Sequence, residues 1–196
     1  MNTTAEHWER FLDPHHVRPS LFLATMFITT FEILKNSVVD RIRTFYADGF
    51  DENGPILGSD YQRDVATRNK SILYASLEWL QEHEAIDQSD LETFERLKKI
   101  RNQLAHQLFE VVTGQRESAH EAQFEVLVGL LRKIEVWWVV NFEIAINPDY
   151  DGQEIYEEGI VPGAILSLQM LIQVASGNTE LLESWRKDRS QERAKA

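Results

Sequence analysis

The chain has 196 residues, 43% of them apolar, with no cysteine and a formal net charge of −12 at pH 7. That length can bury a substantial core in one domain spanning 1–196. The missing cysteines exclude disulfides, thiolate chemistry and cysteine–zinc sites, and the acidic balance argues against a nucleic-acid binder.

Residues 1–19 hold two prolines and the His15-His16 pair and read as a loose lead-in with one short helix. Ser20 is placed to cap a long helix reaching about Ala47, with Gly49 just past its end. Its strongest apolar stretch, 21–34, is interrupted by Thr25, Thr29, Thr30 and Glu32, the pattern of a core helix and not of a membrane span. Residues 48–59 carry three glycines, a proline and several acids and read as a loop. Asp60 then caps a helix over roughly 61–84, with Val65, Ile72, Leu73, Leu77 and Leu80 as its stripe.

Ser89 or Asp90 starts the next helix, and Gly114 ends it. Ser118 opens a helix to about Ile146 through Phe124, Leu127, Leu131, Ile134, Trp138 and Phe142, and Asn147-Pro148 stops it. The segment 148–158 has five acids and no base and reads as a solvated loop. Pro162 begins a last apolar helix that Gly177 ends, and the charged tail from 178 is a fraying helix. No period-2 run is long enough for a strand, and no repeat is visible. The expectation is an all-α bundle of about five main helices.

The helix over 90–113 contains the hexamer Arg-Asn-Gln-Leu-Ala-His at 101–106. At 100° per residue, Phe94, Leu97, Ile100, Leu104, Leu108, Val111 and Val112 form one apolar arc, and Arg101 falls inside it. A guanidinium there must snorkel to solvent, pair with a carboxylate from a neighbouring helix, or serve a site. Asn102 and His106 are spaced i, i+4 on the polar side with Lys98. Lys98, Lys99 and Arg101 make a small cationic cluster, enough for one or two phosphates.

RNQLAH, an Arg and a His enclosing four residues with Asn behind the Arg, resembles the motif of the HEPN family. The text at 46–55, YADGFDENGP, is also similar to that of uncharacterised bacterial HEPN-like proteins. The resemblance implies a compact helical domain, a homodimer whose two motifs form one site, and metal-independent endoribonuclease activity in toxin–antitoxin or anti-phage systems. It implies Arg101, Asn102 and His106 as catalytic residues, and RNA and an antitoxin or other protein as partners. Imidazole suits proton transfer to and from a 2′-OH and a leaving oxygen, and guanidinium suits a phosphorane. Lys98 and Lys99 would contact substrate. Arg101 and His106 lie about 140° apart on the helix, so a two-fold axis is needed to bring an Arg and a His to one atom. A catalytically inactive dimer that binds a nucleotide or a protein is the alternative, and a plain helical interaction protein a third.

Other constellations are weaker. Gly49 to Asp60 resembles a calcium loop only in part, with Gly49 where an acid belongs and Pro55 inside it. Glu117 and His120 form one Glu-x-x-His element, and a di-iron bundle needs two. His15-His16 with Asp13 suits an exposed segment better than a metal site. Trp137-Trp138 suits packing better than stacking on a base. No metal or cofactor is expected, and the absence of a signal-like stretch at the N-terminus points to the cytoplasm.

Overall fold

The computed structural model describes residues 3–195, and it is mostly helical, with one small two-stranded sheet. Helix α1 covers Thr3–Leu12 and α2 covers Pro14–Phe45. The long helix thus starts six residues before Ser20. Pro14 supplies a first-turn residue with no N–H to satisfy, and Asp13 caps by accepting from the His15 amide at 2.9 Å. Ser20 does not cap; its hydroxyl donates to the His16 carbonyl at 2.9 Å. α2 is the one described helix long and apolar enough to cross a membrane by length and composition. Here it is the axis of the bundle, packed by α4 (Ile72–Glu82), α5 (Gln88–Val112) and α6 (His120–Trp138).

The expected loop at 48–59 contains a hairpin, β1 (Ala47–Asp51) and β2 (Gly54–Leu57), which corrects the strand-free expectation. Asp51 accepts from the Asn53 amide at 2.7 Å, and Gly54 takes φ +114, so the turn is closed by a side chain and a glycine. Asn53-Gly54 was the available signal.

The expected helix over 61–84 is broken. A single turn, α3 (Ser59–Tyr61), runs into a π-helical turn at Gln62–Ala66, and the chain resets before α4. Asn69 accepts from the Ser71 amide at 3.1 Å and donates to Glu78 at 2.8 Å, fixing the entry to α4. The reset changes the stripe. Val65, Leu77 and Leu80 are buried as expected and Leu73 packs at the edge of the core, but Ile72 is exposed and Trp79 takes the core position.

Helix α5 starts with Asp87 as N-cap, just before the expected Ser89 or Asp90. Asp87 accepts from the amides of Ser89 and Asp90, while Asp90 accepts from the Asp87 amide at 2.9 Å. Gly114, at φ +71, follows its C-cap. α6 continues through a π-helical turn at Val139–Ile144. The acidic segment is irregular with two short 3-10 turns, and Arg132 of α6 holds it by donating to the carbonyls of Glu157, Glu158 and Ile160. α7 (Gly163–Ala175) buries Ile165 and Leu168, and α8 (Glu180–Lys195) follows.

The core is contiguous. Phe27, Phe31, Leu34, Val38 and Ile42 of α2 meet Trp79 and Leu80, Phe94, Leu97 and Leu104, and Leu127, Leu131 and Ile134. Trp138 stacks on Trp79 at 5.8 Å between ring centres, and Trp137 meets both edge-on, so the tryptophan pair is packing.

Candidate active site

The apolar arc of α5 lies where its spacing puts it. Phe94, Leu97, Ile100, Leu104, Val111 and Val112 are buried, with Leu108 packed at the edge of the core. Arg101, inside that arc, is carried into the seam between α5 and α2. Its Nη2 donates to Oε1 of Glu32, and its Nη1 lies 3.2 Å from Oδ1 of Asn102. The carboxylate is shared, because Lys35 of α2 donates to Glu32 Oε2 at 2.7 Å. Burial opposes ionisation of Glu32, but the hydrogen bonds and charges of Lys35 and Arg101 outweigh it and hold the carboxyl below its usual range. The Arg101 side chain is 30% exposed, so the pair sits at the mouth of the seam and not in dry core. Its Nε is buried and finds no hydrogen-bond partner among the described residues.

Asn102 and His106 are exposed on the outer side of α5. No hydrogen bond from the described residues engages the His106 ring. The helix is interrupted directly after it, at Gln107, whose backbone (φ −135, ψ 31) is non-helical. Within one chain, Arg101 and Asn102 are brought together, while Arg101 and His106 face different surroundings: α2 for the first, solvent for the second.

The two lysines differ. Lys98 Nζ donates to the Tyr74 hydroxyl, which donates onward to Glu95, and the ammonium also sits 4.6 Å from the Tyr74 ring centre. The bond to Tyr74 raises Lys98 above its usual range against the opposing effect of burial. This lysine is therefore committed to a network between α4 and α5. Lys99 is exposed and lines a shallow groove with Gln88, Leu91, Glu92, Glu95 and Arg96.

Glu32 is the residue that sequence reasoning did not assign to the site. The signal was present: a lone carboxylate in the apolar stretch of one helix and a lone guanidinium in the apolar stripe of another are each unfavourable until paired.

The metal readings gain no geometry. Among the described residues no group of three or more His, Asp or Glu side chains is placed to hold a metal ion. His120 is half-buried at the start of α6 with Nδ1 unpartnered, and burial lowers its imidazole below the usual value of 6.5. In comparisons with known proteins, no family model matches the chain, nor does any curated protein or solved structure.

Proposed function

We propose that the protein is a HEPN-type, metal-independent endoribonuclease that acts as a homodimer. The observation that carries this reading is the state of the hexamer. Arg101 is fixed by a carboxylate from α2, while His106, a turn and a half along α5, stands open to solvent with no hydrogen-bond partner among the described residues. A guanidinium held in place and an imidazole left free are the two parts that transesterification of RNA needs.

In this mechanism His106 of one copy accepts the proton of a ribose 2′-OH. The 2′ oxygen attacks the adjacent phosphorus, and the bond from phosphorus to the 5′ oxygen breaks. The leaving oxygen takes a proton from the second imidazole, giving a 2′,3′-cyclic phosphate and a 5′-hydroxyl. Arg101 stabilises the added charge of the phosphorane, Asn102 orients the guanidinium, and Lys99 meets a flanking phosphate. Two copies are required because Arg101 and His106 occupy different sides of α5. With 32 acids against 20 bases, a short contact suits the chain better than a long groove.

The test is cleavage of a mixed RNA pool in EDTA by wild type, Arg101→Ala and His106→Ala, with thermal melts as folding controls. Wild type should cleave and leave cyclic phosphate ends, and each variant should lose activity while melting normally. Mixing the two inactive variants should not restore cleavage by subunit exchange, because the mixed dimer carries one imidazole where the reaction uses two. Silence of folded, dimeric wild type favours the second reading, a catalytically inactive dimer that binds a nucleotide or protein. The pairing of Arg101 with Glu32, which neutralises the guanidinium, is the observation behind that alternative.

A further inference from the structure

We infer that the cleft between α1 and the last turns of α5 is a stacking site for one base of a single-stranded RNA; this rests on the ribonuclease reading and names how its substrate is held. The cleft has a volume of about 300 Å³ and lies between Trp8 and Phe11 of α1 and Phe109 of α5, with Thr4, His7 and Gln115 around them. Thr4, His7, Trp8 and Phe11 are spaced i, i+3, i+4 and i+7, so one face of α1 is turned to it. The rings touch in series. Trp8 meets Phe11 at 5.8 Å and Phe11 meets Phe109 at 5.5 Å between centres, both inclined and not stacked.

These rings are not core. Trp8 and Phe109 are each 59% exposed. Three aromatic side chains held in contact and left open to water cost hydration free energy that a flat apolar ligand recovers. The polar lining fits a base edge. No hydrogen bond from the described residues engages the side chains of Thr4, His7 or Gln115, which leaves donors and acceptors for ring nitrogens and exocyclic groups. Arg10 rests against Gly114 at the end of α5 but lines a separate hollow with Glu6, Glu9 and Asp13, so the site is assigned to the base and not to its phosphate. Position supplies the link to chemistry, because Phe109 follows His106 by three residues across the break at Gln107. A base stacked on Phe109 would bring its own or a neighbouring phosphate toward His106.

The experiment uses the full chain in EDTA and a fluorescein-labelled 2′-O-methyl RNA oligomer, which cannot be cleaved, beside the same oligomer made abasic. Wild type should bind the first and bind the abasic form about tenfold more weakly, the loss of one stacked base. Trp8→Ala and Phe109→Leu, the second keeping apolar volume without a planar ring, should each weaken binding about tenfold and erase the difference between oligomers. Phe50→Leu, at an exposed ring on β1 outside the cleft, should bind as wild type does. Equal binding of the two oligomers, no binding by wild type, or unchanged binding by both aromatic variants overturns the site. So does a shift of the dimer equilibrium in Trp8→Ala with RNA binding intact, which makes the face a contact between copies. Base-dependent binding without any cleavage leaves the cleft standing and removes the nuclease reading; cleavage without dependence on Trp8 or Phe109 does the reverse.

Discussion

Arg101 and Glu32 stand 69 residues apart in the chain and meet across the α2–α5 seam, where Arg101 also reaches Asn102 and Glu32 also holds Lys35. Each side chain breaks the apolar pattern of its own helix, and together they form a part-exposed pair. A pair this open contributes little to stability, so its use is positional. Glu32→Gln keeps the shape and removes the charge that aims the guanidinium. It should lower RNA cleavage about tenfold, the loss of one charge-assisted hydrogen bond in the transition state, and move Tm by no more than about 2 °C. Single-turnover rates and thermal melts read both effects. A rise in rate would instead make Glu32 a competitor with phosphate for Arg101.

A second acid–base pair has the opposite character. Glu135 of α6 is buried, and Arg41 of α2 reaches it at 2.7 Å while extending its other nitrogen to exposed Glu143 at 3.0 Å. Removing Arg41 leaves a carboxylate in the interior with no counter-charge. Arg41→Met should cost about 3 kcal/mol in urea unfolding. Arg41→Met combined with Glu135→Leu should recover most of that loss, because two apolar groups can occupy the site without a desolvation penalty. Glu143→Ala should leave the midpoint unchanged, as its partner remains bound to Glu135 and the contact faces water.

Much of this arrangement was legible in the sequence, and the failures share a cause. The arc of α5 is buried as its spacing requires because a long helix has one core face and its period averages out local exceptions. The stripe at 61–84 failed at Ile72 because the side chain of Asn69 starts a new helix there, which shifts the phase for every later residue. The early start of α2 rests on Asp13-Pro14, a strong local signal read as loop because two prolines fell close together. Strands β1 and β2 are too short and polar for periodicity to reveal, and only the turn chemistry of Asn53-Gly54 marks them. At the site, Arg101 was singled out by broken patterning, and Asn102 and His106 by the resemblance of the hexamer to a family motif. Glu32 was not, because single-helix periodicity says nothing about which helix comes alongside.

The pH dependence of stability should carry the mark of His120. Burial depresses its folded pKa below 6.5, with the nearby charge of Glu121 opposing, and a cation at the first residue of α6 is disfavoured by the helix dipole. The unfolded chain therefore takes up this proton first as pH falls. Stability is unaffected above the unfolded value, declines as pH drops through 6.5, and levels off below the folded value. Wild type should lose a few degrees of Tm across that window, and His120→Gln should flatten it. The N-cap carboxylate of Asp87 does not interfere. Hydrogen bonds from Ser89, then Asp90, and the charge of Lys133 lower it to about 2, so it titrates far below the window.

Gly114 tests how α1 is tied to the end of α5. Its φ of +71 lies in the left-handed region, and a Cβ built there would sit 2.8 Å from Nη1 of Arg10. Gly114→Ala combines two penalties of different kind. The backbone strain is fixed by the helix stop and should cost about 1 kcal/mol wherever Arg10 goes. The contact with Arg10 is with the far end of a flexible side chain, which can swing aside at little cost. The two are separated by a double-mutant cycle measured by urea unfolding. If strain dominates, as we expect, Gly114→Ala costs the same in the wild type and in Arg10→Ala. If the cost vanishes in Arg10→Ala, the guanidinium is held firmly over Gly114, and α1 is docked on α5 by that contact as well as by the Phe11–Phe109 pair.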